Sequence, residues 1–323
     1  MHSAISSKRI LDIYNRNCAS LPLDNLAHFA YRAYKVTGEE QYKKIIAFYF
    51  FLVKQPRIVA DLALLKTGQF SYTRHYYYKK FSERRKKRED LYQQQPKLQF
   101  FDRFIHHLFF IQKYGLHMTM YAQQYPQLLS QLSLDELRTL YINEEAIRYN
   151  SSFTFNTLAF LKHIHVSSAL FEEAQQLFRK IYFNASDELV ADLTDDEYHS
   201  VIYSMTHIIL ADTQYYEHDL PGQYEWIIMY FANHIEEIRQ RTDIDTLIEV
   251  ALCMKLCHFE VQYAEAWAML QSVVDDYISF ETLETDAEYR AIESHTYALL
   301  ILLFFTGATF FSGPDLSRAS ITE

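Results

Sequence analysis

Glycine and proline are scarce, six of each in 323 residues. So few turn-formers exclude a strand-and-turn protein and a doubly wound sheet with glycine loops. Gly68 and Gly115 stand alone, so no glycine-rich loop is present to cradle a phosphate. The sequence also lacks a nucleophile elbow, a P-loop, a dinucleotide fingerprint, an HExxH helix and paired CxxC motifs. Three cysteines make no disulfide framework and fit a reducing compartment. Cys253 and Cys257 share a helix face beside His258, but a structural zinc site needs a second ligand pair. Buried apolar thiols are the expectation, with no metal and no cofactor. The first residues, MHSAISSKRILDIYNRN, contain no apolar core of a secretory signal, so a cytoplasmic location is expected, with export by a non-classical route left open. No run is long enough to span a bilayer. Tyr297 to Phe311 is almost wholly apolar but short, which fits a buried helix better than a membrane span.

What the chain has in abundance is aromatic area, with 26 Tyr and 24 Phe, and helical periodicity. Runs that are apolar all round alternate with amphipathic ones. Residues 152–166, 197–216, 244–259 and 287–306 are of the first kind; 168–183, 223–240 and 261–279 are of the second. Helices apolar on every side are buried, and amphipathic helices face water. Two layers follow. The fold class expected is all-α, a single domain over 1–323 built from helical-hairpin repeats, arranged as an α/α toroid or a strongly curved α-solenoid. The repeats are most regular over 152–306. Earlier in the chain, helices are expected at 25–37, at 38–53 with Gln55-Pro56 as its end, at 58–66, at 101–114 and at 133–149.

Charge is uneven. The net charge of −10 argues against general nucleic-acid binding. Against that background, Arg74 to Asp90 carries eight Lys or Arg and three acids. It reads as an exposed basic helix or insertion over 74–95, either a solvated helix whose tyrosines pack on the core or a docking site for an anionic partner.

A few polar residues interrupt the inner runs. His106, Asn156, His207, Glu249 and His295 follow one another at intervals of 42 to 51 residues, about two helices and two turns. If one helix of each hairpin lines a common axis, these side chains converge at one end of it. A buried histidine must satisfy both ring nitrogens, so His207 is either a core hydrogen bond or a general base or ligand group. Glu249, in an apolar setting, is either ion-paired with an inner histidine or a working acid or base. Asp245, one turn before it, reads first as a helix cap and second as a ligand contact. Asn156 fits an inter-helix hydrogen bond equally well. Di-metal helical bundles need Glu-x-x-His spacings, and Glu293 and His295 are only two apart.

The segment Tyr203-Ser-Met-Thr-His207, its continuation IILADTQYY to Tyr216, YEWIIMYF at 224–231 and DIDTLIEV at 243–250 resemble an uncharacterised bacterial family of helical domains of unknown function. The resemblance spans 198–260. In related toroid-like families a Thr-His on one inner helix pairs with an Asp-x-x-x-Glu on the next. It implies a toroid-like fold, with His207 facing Glu249, and no activity. Two functions stay open: a small-molecule or peptide site, catalytic or not, at the mouth of the inner helices, and a scaffold that binds another protein.

Overall fold

The computed structural model describes residues 2–73, 83–184, 188–189, 193–277, 295–305 and 310–318. Helices dominate. In chain order they are α1 (His2–Asn17), α2 (Leu23–Thr37), α3 (Glu40–Tyr49), α4 (Gln55–Thr67), α5 (Glu83–Gln94), α6 (Pro96–Lys113), α7 (Gln124–Leu129), α8 (Leu134–Tyr141), α9 (Glu144–Tyr149), α10 (Ser151–His163), α11 (Ala169–Tyr182), α12 (Asp195–Asp212), α13 (Glu225–Asn233), α14 (Ile235–Arg241), α15 (Ile244–Leu256), α16 (Ala264–Tyr277) and α17 (His295–Leu303). Among the described residues the only extended pairing is an isolated bridge, Phe183 with Leu189. The fold is all-α.

Contacts divide the chain into two compact units. One comprises 1–51, 215–314 and 321–323, the other 52–214 and 315–320. In the second unit α6, α10 and α12 form the inner layer. Their contacts fix a parallel arrangement with a register near 50 residues. Ser151 Oγ lies 2.5 Å from Ser204 Oγ, Asn156 Oδ1 2.9 Å from His207 Nδ1, and Lys162 Nζ 2.6 Å from Asp212 Oδ1. The α6 and α10 helices match in the same sense, since Thr157 Oγ1 donates to Asp102 and Gln112 Nε2 donates to His163 O. Small side chains at the α10–α12 contact, Ser151, Ser200 and Ser204, let two all-round apolar helices approach closely. The α11 helix packs its buried stripe of Leu170, Phe171, Ala174 and Phe178 onto α10. In the first unit α15 and α17 are likewise parallel: Lys255 Nζ donates to the carbonyls of Leu302 at 3.1 Å and Leu303 at 2.9 Å. Burial lowers that ammonium to about 8.

Several boundaries differ from expectation. Pro56 does not end a helix. A π turn, Phe50–Lys54, widens the chain before it, and Pro56 falls in the first turn of α4, where its missing N–H is tolerated. The stretch 133–149 is two helices, because Asn143 leaves the helical conformation and its side chain accepts from Ala146 N at 2.9 Å. The stretch 223–240 also breaks, at His234. The inner helix expected over 287–306 is described only from His295 onward.

The basic segment is half docked. Residues 74–82 lie outside the described residues. From Glu83 onward the chain is α5, with Lys86 and Lys87 exposed, Arg84, Arg85 and Arg88 half-buried, and Glu89 buried. The exposed helix of the sequence reading is corrected to that extent. Aromatic rings explain the docking: the Arg88 guanidinium lies 4.8 Å from the Phe153 ring centre and Lys87 Nζ 5.1 Å from that of Tyr149.

Candidate functional site

The second unit holds its inner helices together around a carboxylate. Asp102 on α6 accepts from Tyr92 Oη at 2.7 Å, Tyr141 Oη at 2.8 Å, Asn150 Nδ2 at 3.0 Å and Thr157 Oγ1 at 3.1 Å. These donors come from α5, α8, the start of α10 and α10 itself. Burial raises the Asp102 carboxyl, although all four donors oppose the shift. Nearby, Asp61 takes a bidentate contact from Arg103 and lies 3.0 Å from His107 Nδ1. Burial works to raise the Asp61 carboxyl, but bonds from His107 and Arg103 outweigh it and hold it low. Both acids therefore have structural duties.

One face of the inner layer is less enclosed than the rest. Along α12, from Tyr198 to Asp212, every residue is buried except His199 and Tyr203. On α10 the partly open positions are Phe153, Asn156 and Lys162, and on α6 they include His106 and Phe110. His106 packs against the rings of Phe110 at 4.6 Å and Phe160 at 5.5 Å. His207 is 8% exposed, with the Tyr203 ring 4.4 Å away. Burial, together with the charge of Arg84, pushes its imidazole down to about 3, so the ring is neutral at physiological pH. Its Nδ1 meets Asn156 Oδ1, and its buried Nε2 has no hydrogen-bond partner.

The same face runs on to the C-terminal ends of α6, α10 and α12, where a cleft of about 620 Å³ opens. Its walls are Phe109, Gln112, Lys113 and His117 on one side, and Lys162, His163, His165 and Gln214 on the other. Helix ends explain the basic residues in part, since cations near the last turn answer the negative end of the helix dipole. Lys113 Nζ donates to Gln214 O at 2.7 Å, and Lys162 Nζ pairs with the buried Asp212. His163 Nε2 donates to Ala211 O at 3.0 Å, so its Nδ1 accepts from Gln214 Nε2 at 3.1 Å. His117 Nδ1 is buried without a hydrogen-bond partner. Two rim residues hold left-handed backbones without being glycine, His165 at φ 60° and Gln214 at φ 55°. Such conformations cost on the order of 1–3 kcal/mol each and gather at functional sites. Gly115 positions His117: its φ is 72°, and a Cβ there would meet Asp315 Oδ1 at 2.7 Å.

Of the residues singled out in the sequence, His207 and Asn156 are brought together, and His106 lies on the same layer. Glu249 belongs to the other unit, buried on α15, where its charge acts on Tyr215, Tyr216 and Cys253. His207 and Glu249, expected as a pair, belong to different units. Asp245 is not the cap of α15. Asp243 is, its side chain accepting from Thr246 N at 2.9 Å, because it is the residue with extended backbone just before the helix. His295 opens α17, and its side chain lies outside the described residues. Sequence reasoning missed the cleft. Its signal was present: Lys113 with His117, and Lys162 with His163 and His165, recur about 50 residues apart, each group near the C-terminal end of an inner helix. Among the described residues no group of three or more His, Cys, Asp or Glu could hold a metal ion. No described helix is long and apolar enough to cross a membrane.

The family model for a domain of unknown function, DUF3541, matches residues 3–266. The chain belongs to this family. The match runs from α1 into α16 and includes every cleft residue, extending well beyond the segment 198–260 that carried the resemblance. No curated protein and no solved structure matches the chain.

Proposed function

We propose that the cleft at the C-terminal ends of α6, α10 and α12 binds a small acidic ligand, and that ligand binding is the working activity of this fold. The observation that carries the reading is the cleft itself, about 620 Å³ in volume and lined by two lysines and three histidines. A largely preformed concavity with a few convergent polar groups is what a small-molecule site requires. Lys113 Nζ, held at 2.7 Å from Gln214 O, brings a cationic side chain to the cleft wall. His117 Nδ1 adds a polar atom that nothing in the fold uses. Phe109, stacked on Phe160 at 4.3 Å, offers a flat apolar wall. His106, Asn156 and His207 belong to the same three helices but are not part of the cleft lining. The arrangement of the inner helices as a toroid or curved solenoid belongs to the same proposal; the parallel 50-residue register within the second unit supports it.

The test is a thermal-shift screen of small carboxylates and phosphate esters against the wild-type protein and Lys113→Gln and His117→Ala variants. At least one compound should raise the wild-type melting temperature, and both variants should lose that response while melting within a few degrees of wild type. A panel without hits, or hits indifferent to both substitutions, would overturn the proposal.

The scaffold reading has one observation in its favour. Leu52, Val59, Met118 and Met120 are exposed on the second unit at 53%, 59%, 73% and 42%, and Gln55 Nε2 reaches Met120 Sδ at 3.5 Å, joining these segments. Replacing Val59 and Met118 with Glu separates the readings, because ligand response in the cleft should survive it.

A further inference from the structure

The hydrogen bonds along one wall of the cleft form a chain whose direction is fixed at one end. Ala211 O, 3.0 Å from His163 Nε2, can only accept, so Nε2 carries the proton. The neutral ring then has its lone pair at Nδ1. Gln214 reaches that nitrogen at 3.1 Å, and only its amide nitrogen can donate there. The oxygen of a primary amide sits on the other arm of the same carbon, so Gln214 Oε1 is turned away from His163. Among the described residues no group donates to it.

Gln214 is held at both ends. Lys113 Nζ donates to its carbonyl at 2.7 Å, His163 ties its side chain, and its backbone keeps a left-handed φ of 55°. The other amide of the lining, Gln112, is already committed. Its Nε2 donates to His163 O at 3.1 Å, and its Oε1 accepts from Tyr125 Oη at 2.9 Å. Of the two amides in the cleft wall, Gln214 is therefore the one with an acceptor to offer a ligand. A half-buried acceptor fixed in place loses free energy if a ligand covers it without supplying a donor.

The cleft thus sets two demands, an anion for the lysines and a donor for Oε1. The two must lie close together on the ligand, because Lys113 bonds to Gln214 itself. A hydroxyl suits the second demand better than an ammonium, since Lys113 and Lys162 line the same cleft and would repel a further cation. Resting on the acidic-ligand reading of the cleft, we infer that its ligand is a hydroxy acid, a small carboxylate or phosphate ester with a hydroxyl on a neighbouring carbon. The anion meets Lys113, and the hydroxyl donates to Gln214 Oε1. His163 is a positioning residue, which keeps the amide oxygen toward the ligand by holding the amide nitrogen.

Calorimetric titration at pH 8, well above the usual histidine range, tests this with hydroxy acids and their deoxy partners of equal charge. The pairs are malate with succinate and glycerol 3-phosphate with propyl phosphate, and the pair that binds identifies the anion. In at least one pair the hydroxy acid should bind once per chain and about tenfold more tightly than its partner, the factor expected of one hydrogen bond to an otherwise unpaired group. Gln214→Met keeps the length of the side chain and removes the acceptor. It should bring the pair to near parity by weakening the hydroxy acid alone, with the helical circular dichroism unchanged. The wild-type comparison decides by itself if the variant does not fold. Equal affinities within each pair, or a preference that survives Gln214→Met, would overturn the inference and leave the acidic-ligand reading standing. Binding by none of the four would also overturn it, and the acidic-ligand reading falls too only if the wider thermal-shift panel is without hits.

Discussion

His207 is the residue whose state matters most, and its neutrality is measurable. A free imidazole protonates near pH 6.5, whereas in the fold this one is pushed down to about 3. Below pH 6.5 the unfolded chain takes up a proton that the folded chain refuses. The stability tied to this residue is therefore complete above pH 6.5 and drains as pH falls toward 3, by at most about 1.4 kcal/mol per pH unit. Urea denaturation of wild type and His207→Gln at pH 7 and pH 5 should show the wild type losing roughly 2 kcal/mol more across that interval. Parallel losses would mean that His207 is solvated and titrates normally. The unpaired Nε2 itself costs on the order of 1–3 kcal/mol. That cost bears on the question the sequence left open, whether His207 is a core hydrogen bond or a working group: Nδ1 has the core bond and Nε2 does not.

At the scale of elements, the parallel register of α10 and α12 can be trapped. Ser151 and Ser204 bring their hydroxyls within 2.5 Å across the contact. Cysteines at both positions should form a disulfide under mild oxidation, seen as a mobility shift that reductant reverses, because side chains this close fall within bridging distance. Failure to cross-link in a folded double variant would contradict the register. The inner helices were legible because an all-round apolar run of a dozen or more residues has few other fates. A capping box at Thr194, with Glu197 returning to its backbone, starts α12 two residues before the expected 197. What hid from the sequence were breaks decided by single residues: Asn143 and His234 leave the helix without a glycine or proline to mark them. At Pro56 the misreading ran the other way, since a π turn absorbed a residue that normally ends a helix. Asp243 and Asp245 are equally good caps by composition, and only the backbone chose between them.

For the whole molecule, the net charge is −10, and the basic residues of α5 lie within that acidic balance. Of the basic side chains on α5, Arg88 is turned onto the Phe153 ring rather than out to solvent. The candidate sites fall on the second unit, on the face where inner helices are open. The sequence reading placed a site near the starts of those helices, led by polar residues standing out in apolar runs. The cleft lies at their other ends, among Lys and His residues that the sequence reading did not single out. Only the fold shows that three such ends meet. The account's central claim is that this cleft takes a small acidic ligand. Its most direct check is nuclear magnetic resonance of the protein labelled with ¹⁵N in its histidine rings, titrated with the strongest compound from the thermal-shift screen. The imidazoles of His117, His163 and His165 should move together and saturate with one ligand per chain, while His234 and His258 in the other unit stay still. Saturable movement at His234 or His258 with the three cleft imidazoles unmoved would contradict it.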